Sequence, residues 1–266
     1  MAIASKIKAT KAATNFLDKY YLTDPSQVNL NDILGCERIM YQERYIKSAL
    51  GNLIRHKNSG RILINSSIKS KHQKRFIISH ELGHWCMHKD FSVFNCESNK
   101  FKVWSKEISN IEKEANWFAS EFLMPTNKIR DLIGSTPISI EQIINTSDKF
   151  NTSVTASAIK LADVGNEPIM LVYSVNKFVS WYYPSQEFSF NFYDKQFAIP
   201  SHSATADAYT TAIVDEKDVI KAMDWFPKDY SVKPDQYLYE LAIPLKTFNA
   251  CLTILWQHEL NFENNL

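Results

Sequence analysis

Two histidines four positions apart, His80 and His84, stand in the stretch "RFIISHELGHWCMH", with Glu81 directly after the first. The letters from His80 to His84 spell H-E-x-x-H. On a helix, residues four apart differ by about 40° of rotation, so both imidazoles can present a nitrogen to one ion. Glu81 sits about 100° around from His80, beside such an ion without ligating it. A base belongs there if it is to take a proton from water acidified by a metal. Gly83, inside the same helix, costs about 1 kcal/mol of propensity. Its missing side chain lets another element come close.

A catalytic zinc takes three protein ligands and keeps one position open. His88 lies one turn beyond His84. It is rotated by about 80° from His80 and displaced by about 12 Å along the axis, so one straight helix cannot aim all three imidazoles at one ion. His88 therefore reads as a supporting or surface residue. A third histidine after a glycine turn, the metzincin pattern, is absent. The remaining candidates are Glu112, Glu114 and Glu121 in "SNIEKEANWFASEFLMP". Glu121 falls about two and a half turns beyond Glu112, on roughly the opposite face. Periodicity does not choose between Glu112 and Glu114.

The elements around these residues follow from their patterns. Residues 1–35 carry apolar positions at helical spacing: Ile3, Ile7, Ala13, Phe16, Leu17 and Tyr20. Pro25 breaks that run, and "VNLNDILG" suggests a second short helix. "GNLIRHKNSGRILINSS" reads as two strands around Lys57-Asn58-Ser59-Gly60. "RILIN" is expected to accept substrate as an added strand. The motif helix is expected to begin near Arg75, after a basic link. "FSVFNCESNKFKVW" reads as a long irregular connection, lid-like or anchored by Phe91, Phe94 and Trp104. The second key helix runs from Ser109 to Pro125, capped by Ser109 or Asn110, with Ile111, Ala115, Phe118, Ala119, Phe122 and Leu123 as its apolar stripe. After a short turn over 127–133 come two helices, "SIEQIINTSDKF" and "SVTASAIKLADVG".

Beyond residue 166 aromatic and β-branched residues dominate, and only "DEKDVIKAMDWF" looks helical. The cluster Trp181, Tyr182, Tyr183, Phe188, Phe190, Phe192 and Tyr193 reads first as sheet core and second as a ligand groove. Trp225 and Phe226 read as core, and His202 lies in a loop-like stretch.

Composition narrows the class. Thirty basic and 29 acidic residues among 266 give a net charge of +1, with no basic excess for a phosphate track. Four scattered cysteines form no C-x-x-C pair and suit a reducing compartment. The N-terminus lacks a signal-peptide pattern, and no apolar run approaches the ~20 residues that span a bilayer. A cytoplasmic protein is expected, with no membrane partner.

"RFIISHELGHW" followed by "IEKEANWFASEFLMP" resembles the ImmA/IrrE family of metallopeptidases, whose H-E-x-G-H is followed by an E-x-E-A-N-x-F-A-x-x-x-L-M-P helix. Glu112, Glu114, Ala115, Asn116, Phe118, Ala119, Leu123, Met124 and Pro125 match in register. The resemblance covers residues 35–165. It implies His80, His84 and Glu112 as metal ligands and Glu81 as the catalytic residue. His88, Glu114 and Asn116 are left as supporting neighbours. The implied cofactor is zinc, with manganese or another divalent ion as the alternative. The implied fold is α+β: a zincin-like, mostly helical domain with a small sheet over 1–165, then a β-rich part over 166–266 that senses a signal or docks substrate. The implied activity is endopeptidase cleavage, in trans, of a repressor carrying a helix-turn-helix domain, with no direct nucleic-acid contact.

Two other readings compete. "IEQIINTSDKFNTSVTASAIKLADVG" has helix-turn-helix proportions, as a DNA-binding regulator would, but its second helix offers only Lys160 to a phosphate backbone. A pseudo-enzyme with a structural metal would make the protein a sensor or interaction module. Such a site has no need of Glu81.

Overall fold

The protein is described from a computed structural model covering residues 4–90, 93–97, 110–134, 136–193, 197–210 and 214–257. The chain divides into two compact units, Met1–Gly134 with Ile143–Lys160, and Ser135–Gln142 with Leu161–Leu266. Both helices and strands build it, an α+β chain as the sequence suggests.

The first unit opens with helix α1 (Lys6–Lys19), a 3-10 turn at Pro25–Gln27 and α2 (Leu30–Cys36). Strands β1 (Ile39–Arg44), β2 (Ala49–His56) and β3 (Ser59–Asn65) lead into α3 (Lys71–Met87), which carries the histidine motif. Strand β4 (Val93–Glu97) precedes α4 (Asn110–Leu123), α5 (Thr126–Ile133), α6 (Ile140–Phe150) and α7 (Val154–Val164). The sheet order is β1-β3-β2-β4.

Several of these elements differ from the sequence reading. Ser70 caps α3 by accepting from the Gln73 N–H at 3.2 Å, so the helix starts a turn before Arg75 and absorbs part of the basic link. β1 was not legible, because its exposed Met40, Gln42 and Arg44 dilute the apolar signal; β3 recruits it in parallel. β4 lies in the stretch read as irregular, while Phe91, Trp104 and Ser109 fall outside the described residues. Residues 127–133, read as a turn, are helix α5. The strand "RILIN" is β3, hydrogen-bonded on one side to β1 and on the other to β2. With both edges taken, it cannot add a substrate strand.

The core of this unit forms where α1 packs on α4. The buried stripe of α1 is Ala9, Ala13, Phe16 and Leu17; Ile7 instead points to solvent, and Ile3 lies outside the described residues. The Phe16 ring sits edge-on to Phe118 and Phe122, with centroids 6.2 and 5.8 Å apart. On α4, Ala115, Phe118, Ala119, Phe122 and Leu123 are buried as the periodicity required.

Lys160 is withdrawn from any surface role. Its Nζ lies 2.7 Å from Glu121 Oε2 and 3.0 Å from Thr126 Oγ1, and both partners of the ion pair are buried. Glu121 also accepts from the Thr126 N–H at 2.9 Å, tying the end of α4 to the start of α5. The one cation on the second helix of the helix-turn-helix reading is therefore unavailable to DNA.

The second unit holds β5 (Ile169–Val175), β6 (Phe178–Pro184), α8 (Ala204–Ala208), β7 (Val214–Lys221), α9 (Ala222–Trp225), β8 (Tyr237–Leu245) and β9 (Ala250–Gln257). Its antiparallel sheet runs β6-β5-β9-β8-β7. The stretch "DEKDVIK", read as helical, is β7, because pairing with β8 overrides its mixed pattern; only Ala222–Trp225 is helix. The alternation at Phe188, Phe190 and Phe192 is real but joins no ladder. Those rings cluster with Phe226 at 5.9, 5.6 and 4.7 Å, in a core shared with Met170, Trp225 and Leu255. Phe188, Phe190, Trp225 and Phe226 are thus core, whereas Tyr193 is exposed. His202 is a surface residue 3.0 Å from Asp224.

Removing one partner of the Glu121–Lys160 pair strands a buried charge, at a cost of about 3–5 kcal/mol. Lys160→Met should show that loss in chemical denaturation. The double variant Lys160→Met/Glu121→Leu should recover most of it, and equal losses in both would discount the ion pair.

Candidate metal centre

Helix α3 delivers His80, Glu81 and His84, and α4 delivers Glu112; all are buried. His80 Nε2 and His84 Nε2 are 3.0 Å apart. Glu112 reaches both, with Oε2 at 3.2 Å from His80 Nε2 and Oε1 at 3.3 Å from His84 Nε2. Among the described residues these three form one group whose donor atoms all lie within 4.8 Å of one another. A tetrahedral ion with bonds of about 2.0–2.1 Å needs donors about 3.3 Å apart, so the three side chains fit a divalent metal without rearrangement.

The close approach of α3 and α4 depends on Gly83. A Cβ there would lie 3.2 Å from the Ala115 Cα and 3.1 Å from the Phe118 Cβ. On the sheet side, Gly51 of β2 permits a similar approach. A Cβ at Gly51 would stand 2.5 Å from Ile77 Cγ2 and 3.0 Å from Glu81 Oε1. Arg55, also on β2, stacks its guanidinium 4.0 Å from the Trp85 ring centre and donates to the Trp85 carbonyl at 2.7 Å. It thereby satisfies a carbonyl in the last turn of the motif helix.

Electrostatics separate the carboxyls. Glu81 is fully buried, and neither of its oxygens has a hydrogen-bond partner in the structure. Burial pushes its carboxyl up to about 8, and the neighbouring Glu112 adds to the shift. Burial would also raise Glu112, but the close approach of His80 and His84 outweighs it and holds that carboxyl well below the usual range. Burial lowers His84 to about 4, so its imidazole is neutral near pH 7, as a ligand must be.

The supporting neighbours fall into two lines. His80 Nδ1 lies 2.8 Å from Asn116 Oδ1; the amide oxygen accepts, which places the ring proton on Nδ1 and the lone pair on Nε2. His84 Nδ1 meets His88 Nδ1 at 2.9 Å, and His88 Nε2 meets Glu114 Oε2 at 3.1 Å. The structure therefore brings His80, His84 and Glu112 to one point. It sets Glu81 beside them, keeps His88 and Asn116 one contact further out, and Glu114 two. Glu121, the third acidic candidate, is engaged with Lys160. Sequence reasoning missed Gly51, Arg55 and the involvement of α1. An isolated glycine inside a strand pattern was the available signal for the first, since it marks a bulge or a close approach.

Paired histidines on one helix with a carboxylate from a second are a donor set that suits a divalent metal. The family described as the IrrE N-terminal-like domain matches residues 40–161, which contain His80, His84 and Glu112. That match supports the ImmA/IrrE family of metallopeptidases for this part of the chain. The chain is 29% identical over 143 residues to Metallopeptidase ImmA of Bacillus subtilis, covering 52% of this chain and 78% of that one. A solved Mycobacterium tuberculosis transcriptional regulator superposes with a TM-score of 0.55 at 13% identity, covering 94% of this chain and 76% of that one. That second likeness is one of fold.

Overpacking of the Gly51 contact costs about 1–3 kcal/mol. Gly51→Ala should lower thermal stability accordingly. Trimming the clashing methyl in Gly51→Ala/Ile77→Ala should give a loss smaller than the sum of the two single variants; strict additivity would show that the contact is not tight.

Proposed function

We propose that the protein is a zinc-dependent endopeptidase in which His80, His84 and Glu112 hold the ion and Glu81 is the catalytic base. The observation that carries this reading is the Glu81 carboxylate, buried without a hydrogen-bond partner beside three converging ligands. A structural metal site has no use for such a group, whose desolvation costs several kcal/mol. When bound, the ion supplies Lewis-acid polarisation of a peptide carbonyl and acidifies water.

The remaining steps belong to side chains. Glu81, made more basic by burial, takes the proton of the attacking water and hands it to the leaving amine. The desolvated surroundings sharpen each of these charge interactions. Asn116 keeps His80 in the tautomer whose Nε2 lone pair faces the site. Glu112 remains ionised through the pH range in which Glu81 titrates.

The substrate is a protein, as the family implies. We take it to be a repressor with a helix-turn-helix domain, cleaved in trans to relieve repression. That choice is supported by the family resemblance and is consistent with a fold shared with a transcriptional regulator. The second unit senses a signal or docks that substrate. No described helix is long and apolar enough to cross a membrane. The free thiols of Cys36, Cys86 and Cys251 are in keeping with a cytoplasmic location.

Metal analysis and a cleavage assay on a purified repressor encoded beside this protein test the reading. Glu81→Gln should keep its metal and lose about 100-fold or more of the cleavage rate. Glu112→Ala should lose metal affinity. Wild-type cleavage by Glu81→Gln would sink the mechanism.

A further inference from the structure

The line of contacts behind His84 does not stop at α3 and α4. Glu114 Oε2 accepts from His88, and Glu114 Oε1 accepts from the Ser5 backbone N–H at 3.0 Å. Lys8 Nζ stands 3.5 Å from the same carboxylate. Ser5 is the N-cap of α1, and α1 lies wholly outside the span 40–161 that matches the family. An element beyond the matched region thus reaches His84 through two intervening residues, Glu114 and His88.

We propose that α1 is a working part of the metal centre, fixing the His84 tautomer through Glu114 and His88; this rests on the reading of His80, His84 and Glu112 as ligands. Each proton position follows from the one before it. A carboxylate only accepts, so the His88 proton sits on Nε2 and points at Glu114. His88 Nδ1 is then a bare lone pair, and the proton shared between the two rings belongs to His84 Nδ1. His84 Nε2, 3.3 Å from Glu112 Oε1, is then left with the lone pair that a bound cation would need, against the competing pull of that carboxylate for a proton. Without Glu114, His88 is released to carry its proton on Nδ1, where it would donate to His84 and drive the His84 proton to Nε2. That tautomer cannot ligate a metal. The Ser5 N–H and the Lys8 ammonium both face the Glu114 carboxylate, so α1 supplies its remaining donors. The packing of Phe16 on Phe118 and Phe122 holds α1 against α4. Glu114 and His88 are accordingly positioning residues, and Ser5 positions them through its main chain.

The test measures zinc affinity of the full chain by competition with a chromophoric chelator. It also reads the His84 tautomer from imidazole ¹⁵N shifts of the metal-free protein. Glu114→Gln offers one acceptor oxygen where two donors require acceptors, and should weaken zinc binding about 10- to 100-fold. It should also shift the His84 proton toward Nε2, a change that mere loosening of the helix pair does not produce. Ser5→Pro removes the N–H, whereas Ser5→Ala keeps it and loses only the cap. The first should bind zinc several-fold more weakly than the second. If Glu114→Gln does not fold, the Ser5 pair decides alone, and equal affinities there overturn the proposal. Wild-type affinity and tautomer in a folded Glu114→Gln overturn it as well. Glu112→Ala separates the two levels. Zinc binding unchanged in that variant refutes the ligand assignment itself. Binding lost there but unchanged in Glu114→Gln refutes only the role of α1.

Discussion

The approach of α3 to α4 at Gly83 is the constraint from which the rest of the first unit follows. Helices normally pack about 8–10 Å apart, with side chains filling the gap. Here the contact is made by Gly83 against Ala115 and the root of Phe118. Only at that separation can a glutamate on one helix reach imidazoles on the other at 3.2 and 3.3 Å. The aromatic rings of α4 then turn to their other side and meet Phe16. The sheet closes over the opposite flank of α3 through a second glycine, Gly51.

Three carboxylates crowd this region, and their surroundings assign them different states. Glu81 has burial that the nearby His80 only partly offsets, so its proton affinity rises. Glu112 has burial and two imidazoles, and Glu114 has burial, one imidazole and a backbone N–H; both fall below the ordinary range. Environments that push like groups apart are how one site holds a fixed anion and a base together. The protein achieves this with residues of a single type.

The pairing of the two histidines was legible because helical geometry acts over a few residues: four positions put His80 beside His84, and eight put His88 out of reach. The choice of Glu112 over Glu114 was not, since both lie on the buried side of α4 and only the crossing of two helices separates them. The resemblance named Glu112; the coordinates show why Glu114 was a near miss, two contacts away through His88. The small sheet was half legible. Its hairpin follows from local turn chemistry, but β1 joins by long-range parallel pairing and β4 by pairing with β2. Such partners decide strand identity more than composition does. The same holds for "DEKDVIK", whose strand state depends on β8.

The hydrogen bond from Ser5 to Glu114 joins residues 109 positions apart. Nearly half of the chain must therefore be made before the support behind His84 can exist. Until then the growing polypeptide offers a passing ion only two imidazoles, a weak and unselective chelate. By mass action an ion at about 100 times its dissociation constant adds about 2.7 kcal/mol to whatever holds the first unit together. On the proposed reading of His80, His84 and Glu112 as ligands, the site is therefore one that only a chain with both helices complete can assemble.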